Sequence, residues 1–215
     1  MSFTPHTLLN VPATEAERLV NVVRQASHAS TKRLQLRPLE MADAQALQQM
    51  LNDERITTWT SFFPYPYTME DAHLWIREAA RRQAEGTGLY FGVWHQETGA
   101  MIGEAHFEIL PDRLTAKLGG VASPQFWGKR FAEEATVAFI DYAFELLGIK
   151  LLVARTVTNN RSAQRIINTI GFTPLGEQQV TLSNGSTVPV YYYELTPAEW
   201  RTARAPLARR FGAKA

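Results

Sequence analysis

The chain has 215 residues, 45% hydrophobic and 20% charged, which is enough to bury one sizeable core and ordinary for a soluble globular domain. Its formal charge of +1 supplies no global field for nucleic acid or an anionic membrane, so neither is expected as a partner. The absence of cysteine removes disulfides, thiolate metal sites and a cysteine nucleophile together. No apolar run reaches the ~18 residues of a membrane helix, and the N-terminus lacks a basic-then-apolar leader. The expectation is a cytoplasmic protein.

Residues 1–32 read as an N-terminal extension. Thr14 and Glu17 have capping-box spacing, and Leu19, Val22, Val23 and Ala26 form an apolar stripe. This predicts a short helix, either packed on the main body or carried as a mobile arm. The body begins near Arg33. LQLRPLE predicts a strand with Leu34 and Leu36 on one face, and residues 41–53 follow with helical spacing. TSFFPYPYT is an aromatic loop, after which Thr68 and Gly86 bracket a second helix.

Strands then dominate. LYFGVWH (89–95) and MIGEAHFEI (101–109) flank QETG as a hairpin, and TAKLGGVAS (115–123) is the next extended segment. In MIGEAHFEI, strict alternation places Glu104, His106 and Glu108 on one face and Met101, Gly103, Ala105, Phe107 and Ile109 on the other. Residues 130–147 predict a long helix with Phe131, Ala135, Ala138, Phe139, Tyr142 and Leu146 inward. LLVARTV (151–157) has the continuous apolar character of a strand buried on both faces. NNRSAQRIINTIGF is a helix closed by Gly171, and residues 173–180 and 187–193 form a hairpin about SNGS. TPAEW starts a short helix, and the basic tail, residues 201–215, is expected to fray. The order gives an α/β layered domain around a mixed sheet, spanning residues 33–200.

Two places suggest chemistry. In QFWGKRFAEEA (125–135), Gly128 precedes Lys129 and Arg130 where the long helix begins. A helix N-terminus carries unpaired N–H groups and about half a positive charge, so this resembles a pyrophosphate cradle. The alternative is a glycine-assisted turn with solvated basic residues. Neither a P-loop nor a dinucleotide fingerprint occurs. Asn159 and Ser162 stand where the next helix opens beyond the buried strand, at the end of the sheet where open α/β folds bind ligands. An N-cap and a first-turn polar residue would explain them equally. Among the titratable groups, Glu104 is the first candidate base and His106 the second, against a plain solvated strand face. The histidines lack metal-ligand spacing, so no metal is expected.

The segments LRPLEMADA (36–44), PYPYTMEDAHLWI (64–76), TGAMIGEAHFEI (98–109), SPQFWGKRFAEEA (123–135), NNRSAQRIINTIGF (159–172) and YYYELTPAEW (191–200) together resemble the GNAT N-acetyltransferase superfamily, in its RimJ/RimL-type branch of ribosomal-protein-alanine N-acetyltransferase-like enzymes. The resemblance implies a mixed, mostly antiparallel sheet with splayed central parallel strands and helices on both faces. It implies acetyl-CoA as cosubstrate and direct transfer in a ternary complex to a primary amine, either a protein N-terminus or a small molecule, by a monomer or homodimer. Carried over by position, the backbone of Gly120, Val121 and Ala122 would pair with the pantetheine arm. The amides of Gly128, Lys129, Arg130, Phe131 and Ala132 would hold the pyrophosphate, and Asn159 would touch the cofactor. Ser162 would serve the leaving thiolate. Three departures stand out: Arg130 replaces the small residue ending the family's loop, Lys117 and Gly120 replace an acidic residue and a tyrosine, and Ile166 replaces a tyrosine acid. These keep open a second reading, a CoA-binding module with little catalysis.

Overall fold

A computed structural model of the protein describes residues 12–57, 59, 60, 63–112, 114–181 and 186–211, with Thr57 through its backbone alone. Phe62 of the aromatic loop and positions 183–185 of the expected SNGS turn lie outside the described residues. The strands are β1 (Ala29–Ser30), β2 (Leu34–Pro38), β3 (Gly88–His95), β4 (Met101–Ile109), β5 (Thr115–Ala122), β6 (Leu151–Val157), β7 (Thr173–Thr181) and β8 (Thr187–Leu195). They form one sheet in the order β1-β2-β3-β4-β5-β6-β8-β7. Every pairing is antiparallel except β5 with β6.

The helices are α1 (Ala13–Arg24), α2 (Ala44–Leu51), α3 (Glu54–Thr57), α4 (Met69–Glu85), α5 (Phe131–Asp141), α6 (Arg161–Ile170) and α7 (Pro197–Phe211). Two cores separate them. The larger joins Phe91, Phe107 and Ala116 of the sheet to Phe139 and Val137 of α5, Leu19 and Val23 of α1, and Trp200 of α7. Phe107 and Phe139 stack with ring centroids 3.9 Å apart. The smaller core, on the opposite face, joins Leu47, Leu51, Ile56, Ala72 and Ile76 to Leu39 and Met101. Helices therefore cover both faces, as expected of a sheet with two apolar sides.

Several local expectations are corrected. Helix α1 starts at Ala13 after Pro12, whose fixed φ of −58° suits a helix start, so Thr14 lies inside the helix and makes no cap. The helix is packed on the domain rather than free, with Leu19 and Val23 fully buried. The short strand β1 and helix α3 were not foreseen. In β4 the alternation breaks: Val93 pairs with Gly103 but Trp94 with Met101, leaving Ile102 as the extra residue of a bulge. Met101 thereby turns to the smaller core and Ile102 to the larger. Helix α5 passes into a π-helical turn over Tyr142–Leu147, which advances the inward phase by one residue. Leu147 is buried in consequence, and Leu146 is 57% exposed.

The basic tail does not fray through Phe211. Helix α7 buries Trp200, Leu207 and Phe211, and Asp141 of α5 accepts from Trp200 Nε1 at 2.9 Å and Arg204 Nε at 2.6 Å. None of the described helices is long and apolar enough to cross a membrane.

Candidate functional site

Strand β5 pairs with β4 from Ala116 to Ala122, but it meets β6 only at Thr115–Leu151, Ala116–Leu152 and Lys117–Val153. Beyond Lys117 the parallel strands part, while β6 continues to Val157 held by β8 alone. Gly120 and Ala122 on one side and the Ala154–Val157 half of β6 on the other present backbone edges across a gap, whereas the backbone groups of Val121 are directed to Glu104 in the ladder to β4, against expectation. The edges at the gap require hydrogen-bond partners, which water or an amide-bearing ligand supplies. The carbonyl of Ala122 is already taken, because Trp127 Nε1 donates to it at 2.8 Å.

The gap opens toward the start of α5. Residues 127–130 are exposed, Gly128 has φ 76°, and Arg130 has φ 62° and ψ 20° at the helix N-cap. Among the described residues, Arg130 alone combines a side chain with positive φ. A small residue usually ends the loop that these segments resemble, and the structure shows why: the backbone is left-handed at Arg130. The amides of Gly128, Arg130, Phe131 and Ala132 make no backbone hydrogen bond, whereas Lys129 N–H turns back to the Phe126 carbonyl at 3.4 Å. Four of the five expected donors thus remain open at a helix N-terminus.

One residue holding this loop was missed. Arg33 donates to the carboxylate of Glu134, which is 1% exposed, through Nε at 2.7 Å. It also donates to the Lys129 carbonyl at 3.4 Å and stacks its guanidinium 4.2 Å from the Phe131 ring centroid. Thr31 donates to the same carboxylate. The β1–β2 hairpin is thereby tied to the loop and the first turn of α5. Nothing local in the sequence links positions 33 and 134.

At the start of α6, Asn160 is the cap: its side chain accepts from Ala163 N–H at 3.0 Å. Asn159 and Ser162 are both exposed beside it. The capping duty that would have explained Asn159 is therefore met by its neighbour.

On β4, Glu104 and His106 form a buried pair, 2% and 7% exposed, rather than a solvated face. His106 Nδ1 lies 3.0 and 3.2 Å from the two oxygens of Glu104. A carboxylate only accepts, so Nδ1 carries the proton and the lone pair of the ring sits on Nε2. Burial pushes the imidazole pKa down, but the charge and hydrogen bond of Glu104, helped by Glu108, outweigh it and leave the pKa raised. The ring fits because its cross-strand partner is Gly119, where a Cβ would stand 2.1 Å from Nε2. A glycine inside a strand signals close approach of another group, and that signal was present in the sequence. The ring stacks on Tyr90 at 5.0 Å and meets Trp75 at 6.0 Å, with Phe63 and Tyr67 beyond Trp75. Lys117 and Glu108, on the same face, lie 3.3 Å apart and pair with each other. Among the described residues no group of three His, Cys, Asp or Glu side chains is placed to hold a metal ion.

The site thus has a split sheet, a helix start beyond each of the two parted strands, and an imidazole–carboxylate pair on β4, which flanks β5. Residues 33–173 match the acetyltransferase (GNAT) domain. The N-acetyltransferase p20 of Bacillus licheniformis, itself uncharacterized, is 27% identical over 172 residues, or 79% of this chain and 96% of that protein. FsC-acetyl coenzyme A-N(2)-transacetylase of Aspergillus fumigatus is 25% identical over 194 residues, 84% of this chain and 80% of that one. Among solved structures, Mycobacterium smegmatis RimJ in complex with CoA-disulfide is similar with a TM-score of 0.77 at 16% identity, covering 87% of this chain and 97% of that one. The ribosomal-protein-S5-alanine acetyltransferase from Vibrio fischeri gives 0.71 at 16% identity over 80% and 98%. At such identities these likenesses establish the fold.

Proposed function

The chain belongs to the GNAT acetyltransferase family, and from that premise we propose that it transfers the acetyl group of acetyl-CoA directly to a primary amine, on a protein N-terminus or a small molecule. The observation that carries this reading is the parting of β5 and β6 after three registers, beside the open amides at the start of α5. A pantetheine arm brings amide groups that match the backbone groups of Gly120 and the remaining N–H of Ala122, whereas Val121 is paired with Glu104 in the ladder to β4. The pyrophosphate suits the amides of Gly128, Arg130, Phe131 and Ala132, with Lys129 and Arg130 adding charge at the same point. Asn159 reaches the cofactor from the far side of the gap.

For transfer the amine must arrive neutral. His106 Nε2 is the proton acceptor in this scheme, and Glu104 fixes its tautomer and stabilises the imidazolium that forms. This reverses the order in which sequence alone ranked the two. The backbone N–H of Ala122 polarises the thioester carbonyl, and the exposed Ser162 hydroxyl meets the departing thiolate across the gap. Holding both substrates together supplies much of the acceleration.

The test is a thermal-unfolding scan with acetyl-CoA, followed by thiol release with a panel of amines. At 100 times its dissociation constant the ligand adds about 2.7 kcal/mol, which raises the midpoint of a chain this size by roughly 5–11 °C. Ser162→Ala should slow release of thiol while keeping that shift. A flat scan would sink the reading.

A further inference from the structure

Arg130 holds a left-handed conformation, which an L-residue keeps only where its surroundings over-determine it. The two peptide units flanking its Cα set φ and ψ, and both are tied down. The carbonyl of Lys129, in the unit before, accepts from Arg33 Nη1 at 3.4 Å. The carbonyl of Arg130, in the unit after, accepts from the Glu134 N–H at 3.2 Å. Both units are trans, and in a trans peptide the carbonyl and the N–H point to opposite sides. The N–H groups of Arg130 and Phe131 therefore point away from these ties, and they are two of the four open donors at the start of α5.

The second tie is an ordinary helix hydrogen bond. The first depends on one guanidinium, so its anchorage decides how firmly the loop is held. Arg33 Nε donates to Glu134 Oε2 at 2.7 Å and Nη2 reaches the same oxygen, while the Arg33 N–H donates to Oε1 at 3.2 Å. The Thr31 hydroxyl also donates to Oε1. Glu134 is 1% exposed, so water and salt screen this pair little on the carboxylate side. The turn that carries Arg33 is closed as well. Gln96 Nε2 donates to the carbonyls of Thr31 and Leu34 at 2.9 Å each, and the Gln96 N–H donates to that of Arg33 at 2.9 Å. A guanidinium is a planar fork that serves Glu134 with one edge and the Lys129 carbonyl with another; an ammonium is a single point charge and does not span both.

We propose that Arg33 is a positioning residue for cofactor binding: anchored on Glu134, its guanidinium holds the Lys129–Arg130 peptide so that the Arg130 N–H faces the pyrophosphate. The inference rests on the acetyltransferase reading of the same site. Arg33 acts through the backbone of the loop, so its effect falls on the phosphate-bearing half of acetyl-CoA rather than on the thioester.

The experiment compares the parent chain with Arg33→Lys and Glu134→Gln on two acetyl donors, acetyl-CoA and S-acetylpantetheine, using one amine that the parent acetylates. S-acetylpantetheine carries the same thioester and no phosphate. Lysine keeps a charge beside Glu134 and loses the fork; glutamine keeps Arg33 whole and loosens its anchor. In both variants KM for acetyl-CoA should rise about tenfold or more at nearly constant kcat, the effect of one misdirected hydrogen bond to a charged group. The ratio of kcat/KM for acetyl-CoA to that for S-acetylpantetheine should fall by the same factor. Should Glu134→Gln fail to fold, Thr31→Val loosens the same carboxylate in its place. Equal losses on the two donors, or a fall in kcat in place of the rise in KM, would mean that the brace merely supports the fold and would overturn the proposal. An unchanged KM in Arg33→Lys would overturn it too. So would a loss confined to Arg33→Lys, which would show the guanidinium touching a phosphate itself. If acetyl-CoA shifts the parent's melting midpoint and some amine is acetylated, such a failure belongs to the brace alone. No shift and no transfer in the parent would overturn it together with the reading on which it rests.

Discussion

Replacing Arg130 by glycine tests whether the loop before α5 is strained. Arg130 holds φ 62° and ψ 20°, a left-handed conformation that costs an L-residue roughly 1–2 kcal/mol. Glycine removes that cost but gives back about 0.5–1 kcal/mol through the entropy of the unfolded chain. The expected net is stabilisation by about 0.5–1 kcal/mol. Arg130→Ala is the control, because alanine keeps the left-handed cost and loses the same guanidinium. By calorimetry, Arg130→Gly should melt about 1–4 °C above Arg130→Ala. Acetyl-CoA affinity separates the other half of the question. If the guanidinium bonds a phosphate, both variants should bind about tenfold or more weakly, as a charge-assisted hydrogen bond warrants. If the backbone amides suffice, both should bind like the parent chain. Coincident melting curves for the two variants would refute the strain.

The acid limb of the pH–rate profile should report His106. With Glu104 present the imidazole pKa is raised, so kcat/KM should climb with pH through a midpoint above the ordinary ~6.5. Glu104→Gln removes the charge that raises it and leaves burial, which lowers it, so the limb should move to lower pH; an unmoved limb would remove His106 as the base. The same raised pKa contributes stability that is present in full below pH ~6.5 and lost as pH rises through the folded value, a dependence that Glu104→Gln should flatten in denaturant titrations. Gly119→Ala would place a Cβ 2.1 Å from His106 Nε2, which forces the ring aside. It should lower stability by about 1–3 kcal/mol and kcat by roughly tenfold or more, while a crystal structure with the ring in place and full kcat would refute the role given to Gly119.

Much of this molecule is legible along the chain because the relevant physics is local. Thr68 caps α4 by accepting from the Asp71 N–H, and Gly86 takes a left-handed turn at its other end, as their spacing predicts. The alternation of β4 does put Glu104 and His106 on one face, and the Gly128 loop does open a helix. The loop chemistry also marked Arg130 as the residue to question, since a backbone conformation there would be costly for anything but glycine. Where local pattern failed, a non-local pairing had intervened. The bulge at Ile102 exists only because β3 and β4 pair with unequal counts, and it alone reverses Met101. The π-helical turn after Asp141 shifts Leu146 out and Leu147 in, and the tail becomes helix because α5 offers Asp141 to Trp200 and Arg204.

The amino-acid sequence by itself determined most of the strand and helix segments, the glycine-bearing loop before α5 and the presence of a carboxylate and an imidazole two residues apart. Capping, alternation and backbone freedom act over a few residues, so they can be read in one dimension. Only the tertiary structure decided that β5 and β6 part after Lys117, and that Arg33 braces a loop almost a hundred positions away. It alone turned Glu104 and His106 from a wet strand face into a buried pair, with Trp75 and Tyr90 against the imidazole. Burial and charge coupling depend on what the rest of the chain brings alongside, and that is set by packing rather than by neighbours in sequence.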